Sequence, residues 1–289
     1  STGIAPDAMT LLKSAYESER NPAAKSLLKA MIRNAELAVE EDKPVCQSPG
    51  YPVVYVKLNG DIKVGADIQK VFQKAIVELT KQGYLRPSMV HPITRRNPGD
   101  NSGTGIPDIE VEYSPGADFI EFIVSFKGCG AELANVVKVL TPFQVGRDGV
   151  GVERLILEAV VNAGGIPCPP VAIGIGIGGQ LHTAARLSRR AVGVREWTDT
   201  NPDPELAKWE KKLLAAVNSL GIGPGGIGGD TTALTVKIEM AYTHTAICPI
   251  AINFHCWVAR RCGARIYSDG SIHMLYTPKQ HYKMTSHPS

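Results

Sequence analysis

The stretch from Gly164 to Arg190, GGIPCPPVAIGIGIGGQLHTAARLSRR, decides how the rest of the chain is read. Pro167, Pro169 and Pro170 lack a backbone donor and fix φ, and each restricts the residue before it. Cys168 is therefore expected in an extended, non-helical segment, its thiol aimed by backbone. Val171 to Ile177 is an apolar run bounded by Pro and Gly, the mark of a buried strand. A helical pattern ending in basic residues follows the glycines. A cysteine at the lip of such a strand is well placed to hold something.

Working outward, the C-terminal side continues with Asn201-Pro202-Asp203-Pro204, which opens a helix running to Leu220. Residues 221–230, GIGPGGIGGD, are too rich in glycine to be anything but a loop. Thr232 to Glu239 alternates as a strand, and Pro249 to Phe254 is a further apolar strand leading to His255-Cys256. Residues 277–289 read as a polar tail. On the N-terminal side, apolar residues recur at helical spacing from Met9 to Glu41, broken near Asn21-Pro22, which predicts a helical hairpin. The Pro-bracketed turn Pro44–Pro52 ends that region and holds Cys46, and Val53 to Leu58 follows as a strand. Asp67 to Gln82 is an amphipathic helix closed by Gly83. Tyr84 to Asn101 is loop-like and carries Arg86, His91, Arg95 and Arg96, which suit either a solvated face or an anion site. Asp108–Tyr113 and Phe119–Phe126 read as two strands of a hairpin. Lys127 to Asn135 is a glycine loop whose amides can approach an anion closely, and Gly149 to Ala163 is a helix delivering the chain to Cys168. The pattern predicts an α+β fold, an N-terminal helical region (1–43) followed by a mixed sheet with flanking helices, in a single domain over 1–276.

Composition narrows the function classes. The chain has 289 residues, 44% of them hydrophobic, enough for a sizeable core. A formal charge of +3 from 31 basic and 28 acidic residues gives no sign of nucleic acid or an anionic membrane as partner. No apolar run reaches the roughly 18 to 20 residues that span a bilayer, and the N-terminus has no signal-peptide layout. A cytoplasmic location is expected. Six cysteines, at 46, 129, 168, 248, 256 and 262, are too few and too scattered for a disulfide scaffold, and no CxxC pair marks a zinc ribbon. Buried thiols, or ligands gathered from distant segments, remain. Scattered thiolates suit an iron–sulfur cluster or zinc, and spacing does not choose between them. Gly174, Gly176 and Gly179 fit GxGxxG with Glu196 and Asp199 about 20 residues on, the outline of a dinucleotide fingerprint. The surrounding chain does not alternate β and α, so tight packing is the competing use for these glycines.

Several stretches together resemble the class I, iron–sulfur-dependent fumarase and tartrate dehydratase family, specifically the alpha subunit of its two-subunit form. They are NPAAKSLLKAMIRNAELAVEEDKPVCQ, LRPS at 85–88, RRNPGDN, KGCGAELANVVKVLTP, GGIPCPPVAIGIGIGG, NPDPELAKWEKKLL, GIGPGGIGGDTTALTVKIE, HTAICPIAINFHC and IYSDGS. The resemblance implies a 4Fe-4S cluster on Cys46, Cys168 and Cys256. Substrate contacts would fall on Gln47, Arg86, His244 and the backbone at Gly128 and Gly130. An open iron would act as Lewis acid on the hydroxyl of a small di- or hydroxycarboxylate, fumarate/malate-like or tartrate-like. The base that takes the neighbouring proton would come from a separate beta subunit, in an α2β2 assembly. The family's CQDTG turn reads CQSPG here, so Ser48 stands where a carboxylate is expected. A serine can hydrogen-bond but cannot act as a general acid near neutral pH. That departure admits a shifted substrate or a non-catalytic paralogue.

Overall fold

The structure is a computed structural model that describes residues 1–58 and 64–276. The tail read over 277–289 lies outside the described residues. In chain order the elements are α1 (Pro6–Ser18), α2 (Pro22–Glu40), β1 (Tyr51–Leu58), α3 (Ile68–Lys81), β2 (Asp108–Tyr113), β3 (Phe119–Lys127), α4 (Cys129–Leu133), β4 (Val136–Leu140), α5 (Pro142–Val145), α6 (Val150–Ala163), β5 (Val171–Gly178), α7 (Leu181–Gly193), α8 (Pro204–Ser219), β6 (Ala233–Ala241), β7 (Cys248–His255), β8 (Arg260–Tyr267) and β9 (Ile272–Tyr276). The fold is α+β with two mixed sheets. Among the described residues no helix is long and apolar enough to cross a membrane. The break near Asn21-Pro22 separates α1 from α2, and Asn21 Oδ1 caps α2 by accepting from Ala23 N and Ala24 N at 2.9 and 3.3 Å.

The described residues form two compact units. The first comprises Ser1–Pro6, Arg33–Gly128 and the chain from Val258 on. Its sheet runs β2-β1-β3-β8-β9. Here the expected hairpin is corrected: β1 lies between β2 and β3, parallel to β2 and antiparallel to β3. The connection at 114–118 must therefore step over a strand, a span of about 10 Å, which alternation within each strand cannot reveal. Asp67 caps α3 by accepting from Lys70 N at 3.1 Å. Phe72 of α3 meets Phe122 of β3 with ring centroids 5.5 Å apart, beside the buried Val54, Val56 and Ile120.

The second unit comprises Asp7–Ile32 and Cys129–Trp257. Its sheet runs β4-β7-β5-β6. β5 and β6 are parallel, with Val171 opposite Ala233 and Gly178 opposite Ala241, and β7 runs antiparallel to β5, with Ala172 opposite His255. Ile173, Ile175, Ile238 and Ile250 are fully buried here. α7 lies directly on β5: a Cβ at Gly176 would stand 1.9 Å from Ala184 O, and one at Gly174 would stand 2.1 Å from Ser188 O. Both glycines sit inside the strand, under the body of the helix rather than at its N-terminus. Their use is close helix–sheet packing, whereas a dinucleotide loop places them in the turn. A charged network completes the unit. Arg195 pairs with Asp199 at 2.7 Å, Glu210 at 2.8 Å and Glu239 at 3.2 Å, and Lys237 reaches Asp199 at 2.7 Å. Burial opposes the charge on Arg195, but its hydrogen bonds to Asp199 and Glu210 outweigh it and raise its pKa.

Candidate functional site

The antiparallel pairing of β5 and β7 sets the geometry. Cys168 precedes β5 and Cys256 follows β7, so both lie at the same end of the four-stranded sheet. They are 88 residues apart in sequence, 256 minus 168. Cys168 is exposed, and Cys256 is buried at 8% exposure. Cys168 is non-helical as expected but not extended: its φ is +56°, and its N–H donates to Gly165 O at 3.1 Å, closing a turn. A left-handed non-glycine residue costs on the order of 1 kcal/mol, so the surrounding turn holds this cysteine against a local preference.

Two other glycine-rich segments meet that turn. Gly130, in α4, packs so closely that a Cβ there would stand 2.7 Å from Ile166 O. The loop at 221–230 reaches it too, with Gly225 N donating to Pro169 O at 2.7 Å. That loop is fastened at its far end by the junction of α1 and α2. The buried Glu19 carboxylate accepts from Asp230 N at 3.0 Å and Thr231 N at 3.2 Å. Arg20 pairs with Asp230 at 2.7 Å and holds its carboxyl down to about 2.

His244 is not brought to this end. It lies in the connection from β6 to β7, exposed, where Thr243 Oγ1 donates to Gly179 O at 2.9 Å and His244 Nδ1 accepts from Ala246 N at 3.2 Å. The length of β5 separates the two ends, about 23 Å for seven residue steps. Within one chain, His244 and the two cysteines therefore lie at opposite ends of the sheet. The signal was present: a strand from Pro249 to Phe254 between His244 and Cys256 carries them to opposite ends.

Cys46, Gln47, Ser48, Arg86 and Gly128 belong to the first unit. Gly50, at φ +86°, lets the Cys46 turn lie against the end of β3, where a Cβ would meet Lys127 O at 2.2 Å. Gly128 is thus beside this turn. Asn34 Nδ2 donates to Val45 O at 3.0 Å, and Arg260 Nη1 donates to Ser48 O at 2.5 Å. Ser48 N donates to Cys46 Sγ at 3.4 Å. Ser1 ties the turn to the Arg86 loop: Val45 N donates to Ser1 O at 3.0 Å, and Ser1 Oγ donates to Tyr84 O at 2.8 Å. Arg86, Arg95 and Arg96 are exposed, while the His91 ring accepts from the amides of Ile93 and Thr94. Sequence reading missed the cations next to the Cys46 turn. Lys127, Arg260 and Arg261 are each under 5% exposed at adjoining ends of β3 and β8, where Phe126 pairs with Arg260. Buried cations favour an anionic neighbourhood.

Among the described residues no three His, Cys, Asp or Glu side chains are gathered into a group that could hold a metal ion. The donor chemistry nevertheless fits a cluster. All six cysteines are free, and burial pushes the Cys248 and Cys262 thiols up, which keeps them protonated. Cys46 already receives an N–H on its sulfur, Cys168 is an exposed residue, and Cys256 shares its sheet end.

Comparison with known proteins fixes the class. The model of the Fumerase family, fumarate hydratase, matches residues 1–265, and the chain belongs to that family, a hydro-lyase family. A protein of Methanocaldococcus jannaschii named "Putative L(+)-tartrate dehydratase subunit alpha" is 40% identical over 271 residues, covering 92% of this chain and 93% of the relative. The L(+)-tartrate dehydratase subunit alpha of Escherichia coli strain UTI89 is 31% identical over 269 residues, covering 93% of this chain and 88% of that protein.

Proposed function

We propose that this chain is the cluster-bearing alpha subunit of a cytoplasmic iron–sulfur hydro-lyase that adds water to, or removes it from, a small tartrate-like or fumarate/malate-like acid. The observation that supports the reading is that Cys168 and Cys256 lie at the same end of one sheet, in a member of the fumarate hydratase family. Cys46, Cys168 and Cys256 are the proposed ligands of a 4Fe-4S group. When bound, that group supplies a Lewis acid for the hydroxyl that leaves as water.

The chain's own residues do the rest. Arg86 offers a cationic fork to a substrate carboxylate, and Gln47 and the amides around Gly128 and Gly130 offer hydrogen bonds that orient it. Arg260, through Ser48 O, holds the Cys46 turn in place. Ser48 hydrogen-bonds substrate but cannot serve as a general acid or base near neutral pH, so proton removal falls to a separate beta subunit, which the naming of both relatives as alpha subunits supports. The proposed assembly is α2β2. His244 lies at the other end of its own sheet, and the reading gives it no part in orienting substrate beside Cys168 of the same chain.

The test is a substrate screen on the anaerobically reconstituted chain with and without its beta partner. Hydration or dehydration of one tartrate- or malate-type acid is expected only with the partner. Full turnover by the chain alone would overturn the division of labour. A reconstituted pair inert toward every dicarboxylate tried would favour a non-catalytic paralogue, the outcome that Ser48 makes specific.

A further inference from the structure

Arg86 is exposed, yet the backbone that carries it is anchored on both sides. Leu85 is buried with Ile76 and Ile106, and the half-buried Met89 packs against the same cluster. Pro87 disfavours helical backbone at Arg86. What joins these anchors is Asn101, 3% exposed, a side chain that the proposed chemistry leaves unused. Its Oδ1 accepts from Ser88 N at 2.8 Å and Met89 N at 3.1 Å, and its Nδ2 donates to Arg86 O at 3.0 Å and Thr80 Oγ1 at 2.9 Å. Those four bonds fill the capacity of a primary amide, two accepted and two donated. The partners also fix which way the amide points, because two N–H groups need the oxygen and a carbonyl needs the nitrogen. Thr80 Oγ1 in turn donates to Ile76 O at 2.7 Å, which fastens the arrangement to α3. Asn101 has a φ of +59°, a left-handed conformation that asparagine tolerates better than most other residues.

We infer that Asn101 is a positioning residue for Arg86: it grips the chain at residues 86, 88 and 89, ties it to α3, and so fixes the point from which the guanidinium meets a substrate carboxylate. The inference deepens the proposed function and rests on its assignment of Arg86 as the cationic fork. A guanidinium–carboxylate pair is planar and bidentate, so its strength depends on orientation as well as distance. A long exposed side chain meets that geometry repeatedly only when its backbone origin stays in place. Asparagine suits the task by chemistry. Aspartate has the same shape but no donor at neutral pH, and glutamine is one methylene longer.

The experiment is a double-substitution cycle on the reconstituted pair of subunits, with L(+)-tartrate and L-malate as the substrates tried, joined to amide exchange on the same chains. Asn101→Gly removes the side chain and is at ease at positive φ. Asn101→Asp keeps the shape but turns an oxygen toward Arg86 O. Both are expected to raise KM about tenfold or more with kcat within about threefold, the pattern of binding lost equally in ground and transition states. Asn101→Gly should also speed exchange of the Ser88 and Met89 amides about tenfold, whereas Asn101→Asp, still an acceptor there, should not. With Arg86→Ala already in place, neither should raise KM further. Circular dichroism confirms that each variant is folded. Losses that add to those of Arg86→Ala, or an unchanged KM in both variants beside a damaging Arg86→Ala, would overturn the inference alone. Arg86→Ala without effect on KM, or no turnover of either acid by the unaltered pair, would remove the substrate reading of Arg86 and the inference with it.

Discussion

The two ends of the four-stranded sheet are built from the same strands and treated differently. Where β5 begins and β7 finishes, three glycine-rich segments press together, one cysteine is held at φ +56°, and the buried Glu19, 211 residues away in sequence, fastens the neighbouring loop at Asp230. Where β5 finishes and β7 begins, Tyr242, Thr243, His244 and Thr245 are all exposed, with Thr243 Oγ1 donating to Gly179 O and His244 Nδ1 accepting from Ala246 N. Close approach occurs at both ends, since a Cβ at Gly178 would stand 1.9 Å from Ala241 O, but a left-handed non-glycine residue persists only where surrounding structure enforces it. The cysteine end is thus the one the fold invests in positioning.

That contrast can be broken in several ways. The largest effect is expected at Gly176→Val, which drives a side chain into α7 at Ala184 O and should cost about 3 kcal/mol or more in urea unfolding. Unchanged stability would mean that α7 does not sit on β5 as described. Cys168→Gly should act in opposite directions on two readouts. It relieves the left-handed strain and stabilises the apoprotein by about 1 kcal/mol, yet abolishes cluster binding; a destabilised variant would show that the turn does not strain residue 168.

A smaller effect concerns the loop at 221–230. Asp230 titrates at about 2, below the usual 3.8, because Arg20 stabilises the carboxylate. A depressed carboxyl contributes above its unfolded value and loses that contribution as pH falls through the folded one. Amide exchange of Gly228–Thr231 should therefore quicken between about pH 4 and 2, and Asp230→Asn should exchange quickly throughout. Equal protection of both proteins at pH 6 would remove the Arg20 tie from the account. The smallest change is expected at the other sheet end, where His244→Ala should alter kcat/KM by no more than about threefold. A hundredfold loss would show that His244 serves a site after all, necessarily one it reaches other than along its own sheet.

Much of this arrangement was legible in local pattern. Prolines 167, 169 and 170 and the glycines after Ile177 bracket β5, Asp203-Pro204 starts α8, and Asp67 starts α3, each by a mechanism acting within a few residues. What escaped depends on long-range pairing. Nothing in Asp108–Phe126 reveals that β1 lies between its two strands. β8 was missed because Arg260 and Arg261 open it with two buried charges, a pattern that reads as solvated surface. The resemblance named site residues one by one, and only the strand register separates His244 from Cys168 and Cys256.

The most direct test counts iron after anaerobic reconstitution. Wild type should hold about four irons per chain with a broad absorbance near ~400 nm, as a three-cysteine cubane would. Cys46→Ser, Cys168→Ser and Cys256→Ser should each fail to keep the full cluster, while Cys129→Ser, Cys248→Ser and Cys262→Ser keep it. A full complement of iron in Cys168→Ser, or its loss in Cys129→Ser, would contradict the account.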